Sequence, residues 1–271
     1  MPKRPPPPKP ERNAEGRPAP RPLRKKENEM ELWNGFDLER FTYEEAECLI
    51  VYPKKALPGN PYAMKTEYWD AFPAVEIALL ERGFHLVYRK NANRLATAED
   101  CHARARLMGH LEKAYALAPK CVPVGYSCGG AHALNFAKYY PDRVACLYID
   151  APVVTFCSFP AYLSDPARRG TPWTEEFSAA YPGVRLFDLY NFPHHPVNAL
   201  PTLLSHRIPL TMSWGDEDLT VPYRENGFLL EQAYKETDIP SLFILRPLQG
   251  HHPHGPADPA ALLDFISEHA L

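Results

Sequence analysis

The segment Gly125-Tyr126-Ser127-Cys128-Gly129-Gly130 has the residue types and spacing for covalent chemistry. It is a Gly-x-Ser-x-Gly run that follows the apolar run Cys121–Val124 directly and opens directly into a helical pattern. A sharp strand-to-helix turn imposes strained dihedrals on the serine, needs small residues on either side, and holds the hydroxyl out at the carboxyl edge of a sheet. There the amide of Cys128 and the helix start are placed to stabilise a developing oxyanion. A serine hydroxyl is a poor nucleophile until a base takes its proton, and that base needs an oriented carboxylate. Two later segments offer both, in the order serine, acid, histidine. Gly215-Asp216-Glu217-Asp218-Leu219-Thr220-Val221-Pro222 follows the run ending at Trp214, and Gly250-His251-His252-Pro253-His254-Gly255 follows the run ending at Leu245. Asp150, after Val144–Ile149, is a rival acid.

Elements able to position these residues can be read from periodicity. Strand-like stretches occur around Leu32, Trp33 and Phe36, at Phe41–Tyr43 and at Cys48–Tyr52. Strand and helix then alternate. Pro73 opens a helix that stops at Gly83, the pairing preferred at helix ends, and Phe84–Tyr88 follows as a buried strand. Helices through Leu107, Leu111 and Tyr115, through Leu134 and Phe136, through Phe228 and Leu229, and through Leu262 and Phe265 alternate with the runs Cys121–Val124, Val144–Ile149, Ile208–Trp214 and Leu242–Leu245. Near-continuous apolar strands separated by helices imply an α/β fold with a mostly parallel central sheet and helices on both faces. Residues 155–196 break the rhythm: the stretch has six prolines and many aromatics but no strand-like run, and it reads as a short inserted cap over the sheet edge.

Composition bounds the function classes. The chain has 271 residues, 45% apolar and 23% charged, which suits a soluble globular domain. A net charge of −3 gives no case for nucleic acid or an anionic membrane surface. No apolar run reaches the roughly 18 residues that span a bilayer. Residues 1–26 are a different polymer, with nine prolines, nine Lys or Arg and two Glu. Residues 1–28 are therefore expected to be a disordered tail ahead of a domain over 29–271, foremost a solubilising extension, with docking of Pro5–Pro8 on a proline-recognition partner as the lesser alternative. Basic residues with no apolar stretch behind them do not make a secretory signal. The six cysteines show no Cys-x-x-Cys spacing, so free buried thiols and a cytoplasmic location are favoured.

Over residues 31–271 the elbow, the Gly-x-x-Asp-x-x-Val-Pro segment and the Gly-His segment, in that order, resemble the α/β-hydrolase superfamily. Pro53-Lys54-Lys55 with Pro58-Gly59-Asn60-Pro61, and the ending Gly250 to Gly255, are similar to a bacterial subgroup of hydrolases and carbohydrate-type esterases. The resemblance implies Ser127 as nucleophile, Asp218 as acid, three residues after Gly215, and His251 as base. It places a second oxyanion donor in the loop after Cys48–Pro53, where lipases of the superfamily often carry His-Gly-Gly-Gly and this chain offers the amides of Lys54 or Lys55. Tyr126, His252, Asn60 and Tyr62 are the expected substrate contacts. His194, His195, His251, His252 and His254 invite a metal reading, but the Gly-His placement is already accounted for by a triad, so neither metal nor cofactor is expected. The implied function is a serine hydrolase acting on small-molecule esters. Lys54, Lys55 and Asn60 beside the nucleophile would favour small polar or carbohydrate-type esters. The alternatives are a non-catalytic binding module, or a peptidase or lipid acylhydrolase of the same fold.

Overall fold

The computed structural model describes residues 30–271. The proline-rich tail, and the proline-recognition partner expected for it, fall outside the described residues.

Nine strands form one sheet: β1 Glu31–Trp33, β2 Phe36–Tyr43, β3 Ala46–Tyr52, β4 Tyr62–Lys65, β5 His85–Arg89, β6 Val122–Tyr126, β7 Leu147–Asp150, β8 Leu210–Gly215 and β9 Ser241–Arg246. Their spatial order is β1-β2-β3-β5-β4-β6-β7-β8-β9. The first three strands and β5 pair antiparallel, and every pairing from β5 through β4 to β9 is parallel. Seven helices connect them: α1 Ala74–Glu81, α2 Ala98–Tyr115, α3 Cys128–Tyr139, α4 Pro172–Ala180, α5 Leu200–Ser205, α6 Gly227–Lys235 and α7 Ala260–Ala270. Among the described residues no helix is long and apolar enough to cross a membrane.

The period of two along each strand decides which face each side chain covers. Cys48, Ile50, Met64, Leu147 and Ile149 join one core with Leu107 and Leu111 of α2, Phe136 of α3 and Leu230 of α6. Leu49, Val51, Ala63 and Tyr148 point the other way, into a second core with Val75 and Leu79 of α1 and Leu262 and Ile266 of α7. Both faces are thus dry, which is why the strands read as continuous apolar runs. Helix α2 starts where its residues dictate: the Thr97 side chain accepts from the Asp100 amide at 3.5 Å, and Glu99 and Asp100 favour the positive helix start.

The structure departs from the sequence reading at β4, which was not expected as a strand. It is four residues long, lacks β-branched side chains and ends in a lysine. It nonetheless occupies the centre of the sheet, between β5 and β6. The chain leaves β4 towards β5 on one side, then crosses back to β6 on the other, so the crevice at the carboxyl ends of β4 and β6 is the point where strand order reverses. Such a switch point is where open α/β sheets bind ligands.

Candidate active site

Ser127 sits at this switch point, between β6 and α3, with φ 53° and ψ −119°. Non-glycine residues rarely adopt positive φ, and such strain persists only where the surroundings impose it. Here they do. A Cβ on Gly125 would lie 2.3 Å from the Gly129 carbonyl oxygen, and one on Gly130 would lie 2.4 Å from Pro152 Cβ. The motif glycines therefore let the turn close on itself and let α3 press against the end of β7. The Cys128 amide lies in the first turn of α3, among the donors that a helix start leaves without intrahelical partners.

His251 Nε2 lies 3.0 Å from Ser127 Oγ, and His251 Nδ1 lies 2.7 Å from Asp218 Oδ2. The other Asp218 oxygen accepts from the Thr220 and Val221 amides at 2.8 and 2.9 Å, which fixes the carboxylate plane. Asp216 instead accepts from the Leu248 amide at an exposed turn.

The rival acid Asp150 has other partners. It is fully buried and accepts from Ser213 Oγ at 2.6 Å, Arg246 at 2.9 Å and the Gly255 amide at 2.8 Å, with His254 Nδ1 at 3.0 Å. Burial alone would raise its pKa. The His254 hydrogen bond and the His254 and Arg246 charges outweigh that and hold it below the ordinary carboxylate value. Asp150 thus ties down the segment that carries His251 through His254 and Gly255, while the carboxylate on His251 itself is that of Asp218.

A cavity of about 210 Å³ opens beside Ser127. Its walls are Tyr68 and Phe72 from the loop after β4, Phe159 and Trp173 from the 155–196 segment, and Tyr126 with His251, His252 and His254. Among the described residues, no Lys, Arg, Asp or Glu lines it. The 155–196 segment carries α4 and a third aromatic core around Phe156, Phe159 and Phe177. Arg94 fastens it to the body by pairing with Glu176 and lying 3.6 Å over the Trp173 ring.

Several residues expected at the site lie elsewhere. Strand β3 runs antiparallel to β5, so its end at Tyr52 lies at the amino edge of the parallel strands, opposite Ser127. Lys54 and Lys55 follow on that far edge, with Lys54 Nζ over the Phe36 ring at 5.5 Å and the Lys55 carbonyl against Gly83. Neither amide can serve Ser127. Asn60 donates to the Ala116 carbonyl at 3.0 Å at the same edge, and Tyr62 opens β4 there, buried in the core. Tyr126 contributes its ring to the cavity floor, but its hydroxyl donates to Glu76 at 3.0 Å and the buried Lys65 ammonium sits 3.3 Å over the ring. Of the five histidines, three come together: His251, His252 and His254 each place a ring nitrogen within 4.8 Å of the others. His194 contacts Tyr139, and His195 accepts from the Phe156 amide, both away from this cluster.

The residues missed in the sequence are Tyr68 and Phe72. Both follow β4, and both have positive φ, as does Asp70 between them. The loop they belong to is the one beside the serine, since β4 neighbours β6 and a Cβ on Gly129 would meet Thr66 and Glu67.

No family model matches the chain. Among solved structures, Est1E from Butyrivibrio proteoclasticus superposes with TM-score 0.60 at 16% identity, covering 86% of this chain and 98% of that one. An S-formylglutathione hydrolase from Agrobacterium tumefaciens superposes with TM-score 0.58 at 15% identity, covering 89% and 97%. The chain has the α/β-hydrolase fold. Pyrococcus horikoshii acylaminoacyl peptidase is also similar, with TM-score 0.62 at 11% identity, but only 42% of its chain is covered against 87% of this one. By sequence the chain is 27% identical over 130 residues to carboxylesterase YbfK of Bacillus subtilis, a match over 44% of this chain and 38% of that protein.

Proposed function

We propose that the protein is a serine hydrolase that cleaves carboxylic esters through an acyl-enzyme. The observation that carries this reading is the continuous relay Asp218–His251–Ser127, at 2.7 and 3.0 Å, opening onto an apolar cavity. An ionised carboxylate only accepts hydrogen bonds, so Asp218 keeps the proton of His251 on Nδ1 and leaves the Nε2 lone pair facing the serine. His251 takes the Ser127 proton as Oγ attacks the ester carbonyl, then returns it to the departing alcohol. The oxyanion is held by the Cys128 amide and by a backbone amide of the segment after β4, which takes the role expected of Lys54 or Lys55. Water, deprotonated by the same imidazole, then releases the acid. The proteins that share the fold or sequence likeness, a carboxylesterase, an S-formylglutathione hydrolase and an acylaminoacyl peptidase by name, are hydrolytic, in keeping with this reading.

The cavity limits the substrate. About 210 Å³ is somewhat more than the roughly 150 Å³ that accommodates a benzene ring in an apolar core, so one pocket-bound group of ring size or a short acyl chain fits. Of the grounds for expecting a polar ester, Lys54, Lys55 and Asn60 lie at the far edge, while the charged residues of the 155–196 segment, such as Asp165 and Arg168, remain. Flat aromatic walls accept the face of an aryl or a sugar ring.

A panel of p-nitrophenyl esters of increasing acyl length, run beside Ser127→Ala, tests this. Specificity constants should be highest for short or single-ring acyl groups and fall beyond them, with Ser127→Ala at background. Equal rates in the variant would remove the nucleophile, and no turnover of any ester would leave the non-catalytic binding module as the better reading.

A further inference from the structure

The relay uses one imidazole, yet three face the same cavity. Ring centroids of His251, His252 and His254 are 4.7, 4.9 and 5.1 Å apart, with planes inclined at 59° to 87°. Imidazoles bound to one tetrahedral ion through nitrogens at about 2.0–2.1 Å would have centroids roughly 5 Å apart and ligand nitrogens roughly 3.4 Å apart. The nitrogens here lie within 4.8 Å, so little more than an ångström of closure is needed. His252 is exposed and can supply it by rotating.

Two of the three rings are also held as metal-binding histidines are held. Such histidines almost always give their second ring N–H to a carboxylate or carbonyl, which fixes the tautomer and turns the other nitrogen to the ion. His251 Nδ1 faces Asp218 at 2.7 Å, and His254 Nδ1 faces Asp150 at 3.0 Å, itself neutralised by Arg246. Only the first of these pairs is needed for the relay. The second, fully buried Asp–His pair aims another imidazole into the same space, and the cavity leaves room for a water as fourth ligand.

We infer that His251, His252 and His254 form a site for a single divalent transition-metal ion of the Zn²⁺ kind, and that its occupation withdraws His251 from Ser127. Both events use the Nε2 lone pair of His251, so the ion and the serine hydroxyl compete for it. No covalent bond is made or broken; a hydrogen bond and bound water are exchanged for coordination. The ion would thus be an inhibitor and not a cofactor. Inhibition rests on the hydrolase reading, whereas binding does not.

Equilibrium dialysis of the full chain with Zn²⁺, and titration with Co²⁺ followed by its visible absorption, read the binding directly. The expected result is one ion per chain, tetrahedral cobalt bands displaced by Zn²⁺, and affinity at least about tenfold weaker in His252→Gln, an exposed position whose substitution leaves the core intact. In the ester assay, chelator-reversible inhibition should follow Zn²⁺ occupancy and shift by the same factor in His252→Gln. Absence of one-to-one binding, or binding and inhibition that ignore His252, would overturn the site. Stoichiometric, His252-dependent binding in a protein that turns over no ester would uphold the site and overturn the hydrolase reading instead.

Discussion

At the scale of single residues, Asp218 and Asp150 make opposite demands on experiment. Asp218→Asn keeps an oxygen for the Thr220 and Val221 amides but turns an NH₂ towards His251 Nδ1. That forces the proton onto Nε2, where it can no longer accept from Ser127. Turnover should fall by about 10⁴ with little change in melting temperature. Asp150→Asn leaves the buried Arg246 without its counter-charge, and losing one partner of such a pair costs about 3–5 kcal/mol. That is a drop of roughly 10 °C in a chain of this size. Kinetics and thermal melts on both variants check the split, and a reversed pattern would move the acid role to Asp150. Asp218 and His251 were legible because each follows a strand end by a few residues, a local feature. Lys54, Lys55, Asn60 and Tyr62 were misplaced because the direction of β3 relative to β5 is a property of pairing, and nothing in Cys48–Tyr52 itself states it.

At the scale of elements, the elbow and the helices respond to glycine in opposite senses. In Gly125→Ala the new methyl would meet the Gly129 backbone at 2.3 Å, and backbone cannot swing aside as a side chain can. Loss of soluble folded protein, or a melting temperature lowered by many degrees, is expected. Gly109 lies inside α2 with nothing within 4 Å of an added Cβ, so Gly109→Ala should stabilise by about 0.5–1 kcal/mol, read from chemical denaturation. Most elements were legible from apolar periodicity and helix-end residues. Strand β4 was not, because Tyr62-Ala63-Met64-Lys65 is short and its buried lysine is made tolerable by distant partners, Glu76 on α1 foremost. With β4 unread, the loop carrying Tyr68 and Phe72 could not be placed beside the serine, and the second oxyanion donor was sought after β3, at the edge opposite Ser127.

At the scale of the whole molecule, the two dry faces of the sheet were foreshadowed by continuous apolar strands, and they hold Cys48, Cys101, Cys121 and Cys146, while Cys128 and Cys157 belong to the aromatic core of the 155–196 segment. Burial pushes Cys48 up to about 11 and Cys101, Cys121 and Cys128 up to about 12, while Cys157 is only half-buried. A thiol reagent at pH 8 should therefore modify Cys157 alone, slowly, in the native protein, and all six cysteines after denaturation; rapid native labelling of Cys128 would contradict the packing around the elbow. Cys128 and Ser127 sit on one turn, the thiol enclosed and the serine hydroxyl 3.0 Å from His251 Nε2, so on the proposed reading only the serine reacts. Intact-protein mass after exposure to a fluorophosphonate tests that claim most directly. The account requires one adduct per chain, present in the native protein and absent from Ser127→Ala. No adduct on correctly folded protein, or an adduct that persists in Ser127→Ala, would contradict it.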